Sequence, residues 1–272
     1  MGKAIVLTTG ANSGIGLSTA IEVARRGYRS VGSVRSDEKA EKLLEAAAAA
    51  DVEIEPVILD VTDAEACSAV MDDLELYGLV NNAGYTNTGA IEDVDDDDVR
   101  HQFVTMTVAP MRLAKLALPA MRENGRGRIV NVSSIYGRTT TPLTGWYQAT
   151  KHALEAASDA LRVELASEGV QVVLVEPGGF KTGIWADNNT ALARHAGSRY
   201  ASAYQREMQL TKGLEPFMGD PARVAAVIGR ALDSTNPRAR YVVGLDAHAI
   251  VLADRFTPTM IKDLVNRFGF GL

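Results

Sequence analysis

Residues 4–16 read AIVLTTGANSGIG, an apolar run of high strand propensity that passes directly into a glycine-rich turn. A helix-like pattern follows from Ile15 to Arg26. Glycine permits a tight turn and lets a pyrophosphate approach the backbone, and the N-terminus of a helix offers free N–H groups and a partial positive charge. The stretch therefore predicts a strand–turn–helix unit that binds a dinucleotide. A tight turn that binds no ligand has the same local pattern.

The order of elements in the rest of the chain extends this unit. The predicted strands are 4–8, 30–34, 54–59, 78–81, 128–133 and 170–176. The predicted helices are 15–26, 37–50, 64–76, 95–123 and 147–168. Strands that alternate with helices form right-handed βαβ units and a parallel sheet. We therefore predict one α/β domain over residues 1–272, with a doubly wound parallel sheet and helices on both faces.

The composition is that of an ordinary globular protein. Hydrophobic residues make up 46% of the 272 residues and charged residues 23%. The formal net charge of −6 disfavours nucleic acid and anionic lipid as partners. We find no secretory signal, no apolar stretch long enough to span a membrane and no cluster that predicts a metal site. The single cysteine, Cys67, rules out an internal disulfide and fits the reducing cytoplasm.

Two further motifs accompany the glycine-rich turn. Asn81-Asn82-Ala83-Gly84 ends the predicted fourth strand, and Tyr147-x-x-x-Lys151 lies on a predicted helix. Together with the G-x-x-x-G-x-G spacing of the turn, they resemble the short-chain dehydrogenase/reductase family, in its branch of about 250 residues, over residues 3–182. The resemblance implies a Rossmann-type fold and a nicotinamide cofactor. Within these motifs it assigns to the cofactor Gly10, Asn12, Ser13, Gly14, Ile15, Gly16, Asn82, Ala83 and Gly84.

Ser134, Tyr147 and Lys151 match the catalytic trio of that family. We choose Ser134 over Ser133 because thirteen residues separate it from Tyr147, the usual spacing in the family. Reduction of a ketone needs a proton at oxygen, and a free tyrosine with a pKa of about 10 exchanges one poorly at neutral pH. Lys151 shares a helix face with Tyr147, so its ammonium is expected to lower that pKa. An amphipathic helix with an unrelated tyrosine and lysine is the alternative.

By resemblance, Tyr147 and Lys151 also touch the cofactor, and Lys151 holds the nicotinamide ribose. Ser134 is expected to hydrogen-bond the substrate oxygen. The cofactor carries the hydride, while the protein supplies position and electrostatics.

The end of the predicted second strand bears on the choice between NAD and NADP. An NAD enzyme usually ends this strand with an acidic residue that binds the ribose 2′-OH. Here Val34 takes that place and Arg35 follows, and an arginine suits a 2′-phosphate because it is permanently charged and binds bidentately. The sequence therefore predicts NADP(H). A solvated surface arginine is the alternative, and Asp37 and Glu38 lie close enough in sequence to weaken the preference.

Two other stretches are assigned to the cofactor by the resemblance. Asp60, followed by Val61, ends the third strand, where the family meets the adenine amino group; the alternative is that Asp60 caps a helix. Pro177, Gly178 and Thr182 follow the strand at 170–176 and are expected beside the nicotinamide. A plain strand-ending turn is the alternative for this second stretch.

One position departs from the family pattern. The family usually places an asparagine about 28 residues before the catalytic serine, where it helps to hold a water that links the lysine to solvent, and Met106 stands there in this chain. A thioether is a poor hydrogen-bond acceptor. We therefore expect a working enzyme with a weakened proton relay, unless Thr105 or Thr107 substitutes for the asparagine.

The C-terminal third is expected to form the substrate side. Residues 183–219 form the segment expected to cover the substrate, and its aromatic and apolar side chains indicate a mid-sized, mostly apolar ligand. They include Ile184, Trp185, Tyr200, Tyr204 and Met208. His195 is interpreted as a surface residue. The amphipathic tail at 247–272 is expected to pack on its own domain, with a membrane surface or a second subunit as alternatives.

These patterns predict an NADP(H)-dependent oxidoreductase that moves a hydride between nicotinamide and a carbonyl or secondary alcohol. Resemblance to the steroid and retinol dehydrogenase side of the family implies a steroid-, retinoid- or quinone-like substrate. The alternative is an NADP-binding sensor or scaffold without turnover, which only Met106 supports. A sugar-nucleotide epimerase would need a larger substrate domain. The family's habit of pairing through the helices at 95–123 and 147–168 implies a homodimer or homotetramer.

Overall fold

Seven parallel strands form one sheet in the computed structural model, which describes residues 2–183, 194–195 and 197–272. The strands are β1 (Ile5–Thr8), β2 (Arg29–Val34), β3 (Ile54–Ile58), β4 (Leu76–Asn81), β5 (Gly127–Val132), β6 (Val170–Pro177) and β7 (Arg240–Val243). Their spatial order is β3-β2-β1-β4-β5-β6-β7, with every neighbouring pair parallel. This is the predicted doubly wound arrangement, in which the strand order reverses between β1 and β4.

Helices connect the strands and cover both faces of the sheet. They are α1 (Gly14–Arg25), α2 (Asp37–Ala49), α3 (Ala64–Asp72), α4 (Asp96–Phe103), α5 (Ala109–Glu123), α6 (Gly145–Glu164), α7 (Ala201–Leu214), α8 (Pro221–Asp233), α9 (Leu245–Phe256) and α10 (Thr259–Phe270). A π-helical turn (Val104–Val108) joins α4 to α5, and a 3₁₀ turn (Ile135–Gly137) follows β5.

The core is divided by the sheet into two layers, because successive side chains of a strand point to opposite faces. On β4, Leu79 packs with residues of α3 and α5, whereas its neighbour Val80 packs with residues of α8. The same alternation places Ile129 and Val130 of β5 in different layers. Burial on both faces explains why the central strands β1, β4, β5 and β6 are rich in apolar residues, whereas the edge strands β3 and β7 are less buried.

Several element boundaries differ from the sequence prediction. α3 ends at Asp72, not at residue 76, because Leu76 pairs with Ile5 of β1 and begins β4. The helix predicted at 95–123 is interrupted by the π-helical turn. β5 ends at Val132, which leaves Ser133 outside the strand, and α6 covers Gly145–Glu164, so it starts and ends earlier than predicted. Tertiary pairing and packing decide these ends, whereas local patterns locate elements only to within a few residues.

Two local features have a simple physical explanation. Asp95 is the N-cap residue of α4 and the next three aspartates form its first turn, where carboxylates favour the positive end of the helix dipole. Cys67 is a fully buried residue of α3, as expected of a small apolar side chain. No described helix is long and apolar enough to cross a membrane.

Candidate active site

The glycine-rich turn and the Asn82-Ala83-Gly84 stretch meet where the strand order reverses. Thr9 joins them, because its hydroxyl accepts hydrogen bonds from the N–H groups of Asn82 and Ala83, both at 2.9 Å. In return, the Asn82 amide donates to the Thr9 carbonyl at 2.9 Å. The two motifs are therefore one structure, in which Thr9 has a part that the sequence motifs alone did not assign.

The three glycines of the turn are required for different reasons. Gly10 and Gly14 have φ angles of 66° and 53°, in the left-handed region that other residues rarely adopt. Gly16 is required by space, because a Cβ atom there would lie 2.1 Å from the Gly10 carbonyl oxygen. Within the described residues, the N–H groups of 14–16 have no hydrogen-bond acceptor, and the first intrahelical bond of α1 runs from Leu17 to Ser13. The turn therefore presents unpaired donors at a helix N-terminus, which is an anion-binding arrangement.

Gly16→Ala is expected to disrupt this turn. The added methyl group would overlap the Gly10 carbonyl, which accepts a hydrogen bond from the Asn82 amide. We therefore expect a loss of about 1–3 kcal/mol in the free energy of unfolding and a marked loss of NADPH binding. Thermal denaturation and fluorescence titration with NADPH measure both. Gly213→Ala is the control, because a Cβ atom at that helical position meets nothing within 4 Å. Equal NADPH affinity in the two variants would contradict the assignment of the turn.

Arg35 and Asp60 lie at the neighbouring ends of β2 and β3. Arg35 is exposed and forms no ion pair with any described residue, and Glu38 is instead paired with Lys42 at 2.6 Å. Asp60 does not cap α3, because the N-cap is Asp63, whose carboxylate accepts from two N–H groups of the first turn. Burial acts to raise the pKa of Asp60, but hydrogen bonds from Thr62 and the charge of Arg35 hold it below its usual value. An ionised carboxylate and an unpaired guanidinium therefore flank this end of the site.

Ser134 and Tyr147 are brought together at the carboxyl end of β5. Both side chains are buried, and Ser134 caps the 3₁₀ turn by accepting a hydrogen bond from the Tyr136 N–H at 3.2 Å. Burial raises the pKa of Tyr147 to about 12, and a polar contact with Ser134 offsets part of that rise. Ser133 faces the other way, towards Glu155 on α6. The structure thus places Ser134, and not Ser133, beside Tyr147.

Lys151 lies one helical turn after Tyr147, with its ammonium 5.7 Å from the centre of the tyrosine ring. The Nζ atom donates to the Val132 carbonyl at 2.9 Å. The expected lowering of the Tyr147 pKa by Lys151 is not found in the protein alone, where burial of the phenol dominates. Burial also lowers the pKa of Lys151 to about 8, against the opposing charge of Glu155. Burial therefore disfavours the protonated form of Lys151 as well.

Met106 lies in the middle of the π-helical turn and is almost completely buried. A Cβ atom at Gly84 would lie 3.0 Å from its sulfur, so the methionine packs directly against the Asn82-Ala83-Gly84 stretch. The hydroxyl of Thr107 donates to the Thr150 carbonyl at 3.1 Å, and that of Thr105 donates to the His101 carbonyl at 2.8 Å. Both hydroxyls are thus engaged with backbone, and Thr107 reaches the residue before Lys151. π-helical turns are frequent at functional sites.

Met106→Asn is expected to raise kcat for carbonyl reduction, because an amide at this position restores a polar group for the proton relay. It should also cost about 1–3 kcal/mol of stability, since the amide enters an apolar, buried environment. Steady-state kinetics and thermal denaturation measure the two effects, and Met106→Leu is the control that keeps the site apolar. A kcat equal to or below that of the wild type would contradict a weakened relay.

The turn after β6 closes the other side of the site. A Cβ atom at Gly14 would lie 3.2 Å from the Thr182 side chain, so this segment reaches the glycine-rich turn. The Gly178 N–H donates to the Val243 carbonyl at 2.9 Å, and the Gly179 N–H donates to the Asp246 carboxylate at 2.7 Å. Asp246 of α9 was not identified from the sequence, because no local motif links it to a turn 67 residues earlier.

Backbone hydrogen bonds join the two ends of the segment that is predicted to cover the substrate. The Gly219 N–H donates to the Gly179 carbonyl and the Lys181 N–H donates to the Gly219 carbonyl, both at 2.9 Å. Tyr204 is buried, donates to the Asp93 carboxylate at 2.7 Å and stacks on His195. Ile184 and Trp185 lie outside the described residues. The described part of the segment is thus anchored to the loop that precedes α4.

The tail forms two helices, α9 and α10. Phe270 packs on the buried group that includes Leu143 and Tyr204, and the Asn266 amide donates to the Thr140 carbonyl at 3.4 Å. The tail therefore contacts its own domain. Apolar side chains on its outer side are exposed, among them Leu252, Phe256, Met260 and Phe268.

The comparisons with known proteins define the class. The family model described as short chain dehydrogenase matches residues 4–193, and the chain belongs to this family. It is thus an oxidoreductase of the dehydrogenase/reductase type, which interconverts CH–OH and C=O groups of small molecules with a nicotinamide cofactor.

Three similar proteins illustrate the range. An uncharacterized oxidoreductase, YusZ, of Bacillus subtilis is 38% identical over 84% of this chain and 84% of its own. Retinol dehydrogenase 7 of Rattus norvegicus is 32% identical over 97% of this chain and 88% of its own. The crystal structure of a single-residue variant of actinorhodin polyketide ketoreductase with NADPH superposes with a TM-score of 0.78, at 26% identity, over 90% of this chain and 96% of the other.

The residues of this chain fit a nicotinamide dinucleotide. The unpaired N–H groups at the start of α1 suit a pyrophosphate. Gly16 lies close to the Gly10 carbonyl and has no side chain, so no side chain at this position covers the backbone. Among the described residues, no group of His, Cys, Asp and Glu side chains is placed to hold a metal ion.

Proposed function

We propose that this protein is an NADP(H)-dependent oxidoreductase that reduces the carbonyl group, or oxidises the secondary alcohol, of a mostly apolar substrate. The observation that carries the proposal is the position of Ser134, Tyr147 and Lys151, which lie together at the carboxyl end of β5. This end of β5 is next to β4, and β4 is next to β1, which leads into the glycine-rich turn. In open α/β sheets, ligands bind at this edge, beside the point where the strand order reverses.

The proposed chemistry divides the work among the three side chains. When bound, NADPH supplies the hydride. The Tyr147 hydroxyl delivers a proton to the substrate oxygen, which the Ser134 hydroxyl orients by a hydrogen bond. The Lys151 ammonium stabilises the negative charge left on the phenol oxygen. Burial strongly disfavours the phenolate form of Tyr147. The contribution of Lys151 is therefore largest when the phenolate forms.

The proposed preference for NADP(H) depends on Arg35. Its guanidinium is exposed, unpaired with any described residue and located at the end of β2, so it is available for a ribose 2′-phosphate. The relative with NADPH in its crystal structure is consistent with this choice. We assign Gly10, Asn12, Ser13, Gly14, Ile15, Gly16, Asp60, Val61, Asn82, Ala83, Gly84, Pro177, Gly178 and Thr182 to the same cofactor site.

The proposed substrate class is a steroid-, retinoid- or quinone-like ketone. Tyr200, Tyr204 and Met208 belong to the segment whose two ends are joined by backbone hydrogen bonds beside the site. Tyr204 is held in place by its hydrogen bond to Asp93. The similarity to a retinol dehydrogenase favours the same class. The proposal includes a homodimer or homotetramer formed through α5 and α6, and a location in the cytoplasm.

Initial rates test this proposal. We would measure them with NADPH and with NADH against ketosteroids, retinal, quinones and small ketones. Turnover that favours NADPH and an apolar ketone supports the proposal, and the best ketone narrows the substrate class. Tight binding of NADPH without turnover of any ketone would favour a sensor or scaffold instead.

A further inference from the structure

Behind Lys151 lies a buried cluster of charged side chains, defined here as Glu155, Glu176 and Arg240. Glu155 follows Lys151 by four residues on α6, so both side chains lie on one face of the helix. Glu155 is 7% exposed and Glu176 is completely buried. Ionised carboxylates are rarely buried to this degree unless they are paired with positive charges.

Arg240 of β7 is shared by both carboxylates. Its Nε atom lies 3.0 Å from Glu155 and 3.1 Å from Glu176, and its Nη2 atom donates to the half-exposed Asp159 at 2.6 Å. Arg138 reaches Glu176 only at 3.4 Å and is itself exposed. One half-buried guanidinium is therefore shared by two buried carboxylates. Burial and the charge of Glu176 raise the pKa of Glu155, and the charge of Arg240 acts against that rise.

Room for this cluster is built into the 3₁₀ turn after β5. A Cβ atom at Gly137 would lie 2.9 Å from the Glu155 side chain and 2.7 Å from the Ser133 hydroxyl. The glycine thus lets Glu155 approach the strand end that carries Ser134 and the Val132 carbonyl, to which Lys151 donates. Glu155 and Lys151 are both buried and lie on one face of α6, where charges act on each other over longer distances than in water.

We infer that Glu155 is a positioning residue of the active site, whose buried carboxylate, held by Arg240, is the counter-ion that keeps Lys151 protonated beside Tyr147. Lys151 has no carboxylate within ion-pair distance among the described residues, so the charge of Glu155 one turn away is the principal anionic influence on it. Its consequence for turnover rests on the proposed function, whereas its effect on Lys151 does not.

The direction of the effect follows from the charges. Burial lowers the pKa of Lys151 to about 8, and Glu155 acts against that lowering. Removal of the Glu155 charge therefore lowers the lysine pKa further, so the ammonium is lost at a lower pH. The π-helical turn packed on α6 has no ionisable side chain. The other ionisable groups that face Lys151 or the cluster are Tyr147 and Asp159 on α6, Tyr136 and Arg138 beside the 3₁₀ turn, Glu176 on β6 and Arg240 on β7.

The titration of Lys151 tests the inference directly. In protein labelled with an isotope at lysine Cε, the Lys151 resonance is the one lost in Lys151→Met. Its titration midpoint is expected to fall by about 1 pH unit in Glu155→Gln, which keeps the size of the side chain and removes its charge. Asp159→Asn is the matched control, because it removes another partner of Arg240 two helical turns away from Lys151. An unchanged midpoint in Glu155→Gln, or an equal shift in Asp159→Asn, overturns the inference.

The reciprocal measurement guards against a Glu155→Gln protein that does not fold. In Lys151→Met labelled at the glutamate carboxyls, the Glu155 resonance, identified by its loss in Glu155→Asp, is expected to titrate about 1 pH unit higher than in the wild type, because coupling between two sites is mutual. An unshifted Glu155 midpoint overturns the inference. In turnover, the pH above which carbonyl reduction declines should fall in Glu155→Gln. Absence of turnover in the wild type would contradict the proposed function, and the two titrations would still decide the role of Glu155.

Discussion

Tyr147→Phe is expected to lower kcat for carbonyl reduction by about a thousandfold, which is within the range that general acid catalysis contributes. Phenylalanine keeps the ring that packs edge-on against Tyr136 and removes only the hydroxyl that is proposed to donate the proton. Because Tyr147 is buried, solvent cannot replace that hydroxyl directly. Binding of NADPH should change little, since the glycine-rich turn and Arg35 are untouched. Single-turnover kinetics and NADPH titration measure the two quantities.

Tyr136→Phe is the matched control for this experiment. Tyr136 is a second tyrosine, its ring centre is 6.4 Å from that of Tyr147, and burial raises its pKa as it does that of Tyr147. Loss of its hydroxyl should leave most of the turnover intact, because it has no proposed part in proton transfer. A Tyr147→Phe protein with a tenth or more of wild-type activity, at about the level of the control, would show that the proton reaches the substrate by another route.

The same pair of variants separates an enzyme from a sensor or scaffold. An enzyme loses turnover in Tyr147→Phe and keeps its affinity for NADPH. A protein that only senses the cofactor has no turnover to lose, and both variants would bind NADPH as the wild type does. The buried Met106 is compatible with either outcome, because the neighbouring Thr107 hydroxyl donates to the Thr150 carbonyl of α6.

The sheet could be predicted from the sequence because its central strands are buried on both faces and are rich in apolar residues. The six predicted strands are all present, and the glycine spacing located the turn between β1 and α1. The end of α3 could not be predicted, since residues 73–76 carry no strong stop signal and Leu76 joins the sheet only through its pairing with β1. The π-helical turn was not predicted, because the helix-like pattern continues through Val104–Val108.

The candidate site was predicted where short motifs carry it and was incomplete where distant residues meet. Ser134, Tyr147 and Lys151 follow a fixed spacing, so the sequence alone could propose them. Asp246 and Arg240 reach this end of the sheet from the C-terminal part of the chain, and their contacts depend on the position of β7 beside β6. The spacing of Tyr147 and Lys151 does not show how deeply the phenol is buried, and in the fold burial dominates the pKa of Tyr147.

The second large effect is expected at Arg35. Arg35→Ala should raise the KM for NADPH by about tenfold to a hundredfold, because hydrogen bonds to charged groups contribute about 1.5–3 kcal/mol. The KM for NADH should change little, since that cofactor has no 2′-phosphate. The ratio of kcat/KM for the two cofactors therefore measures the contribution of Arg35 to selectivity. Arg35→Lys should lie between, because a lysine keeps the charge and loses the planar fork.

Arg29→Ala is the matched control, because Arg29 lies at the opposite end of β2 and is paired with Glu55 at 2.7 Å. It removes the same charge from the same strand, so a general effect of net charge on an anionic cofactor would appear in both variants. A shift confined to Arg35→Ala assigns the 2′-phosphate to the carboxyl end of β2. Equal losses for NADPH and NADH in Arg35→Ala would instead mean that Arg35 supports a part of the site common to both cofactors, and the predicted preference for NADP(H) would be wrong.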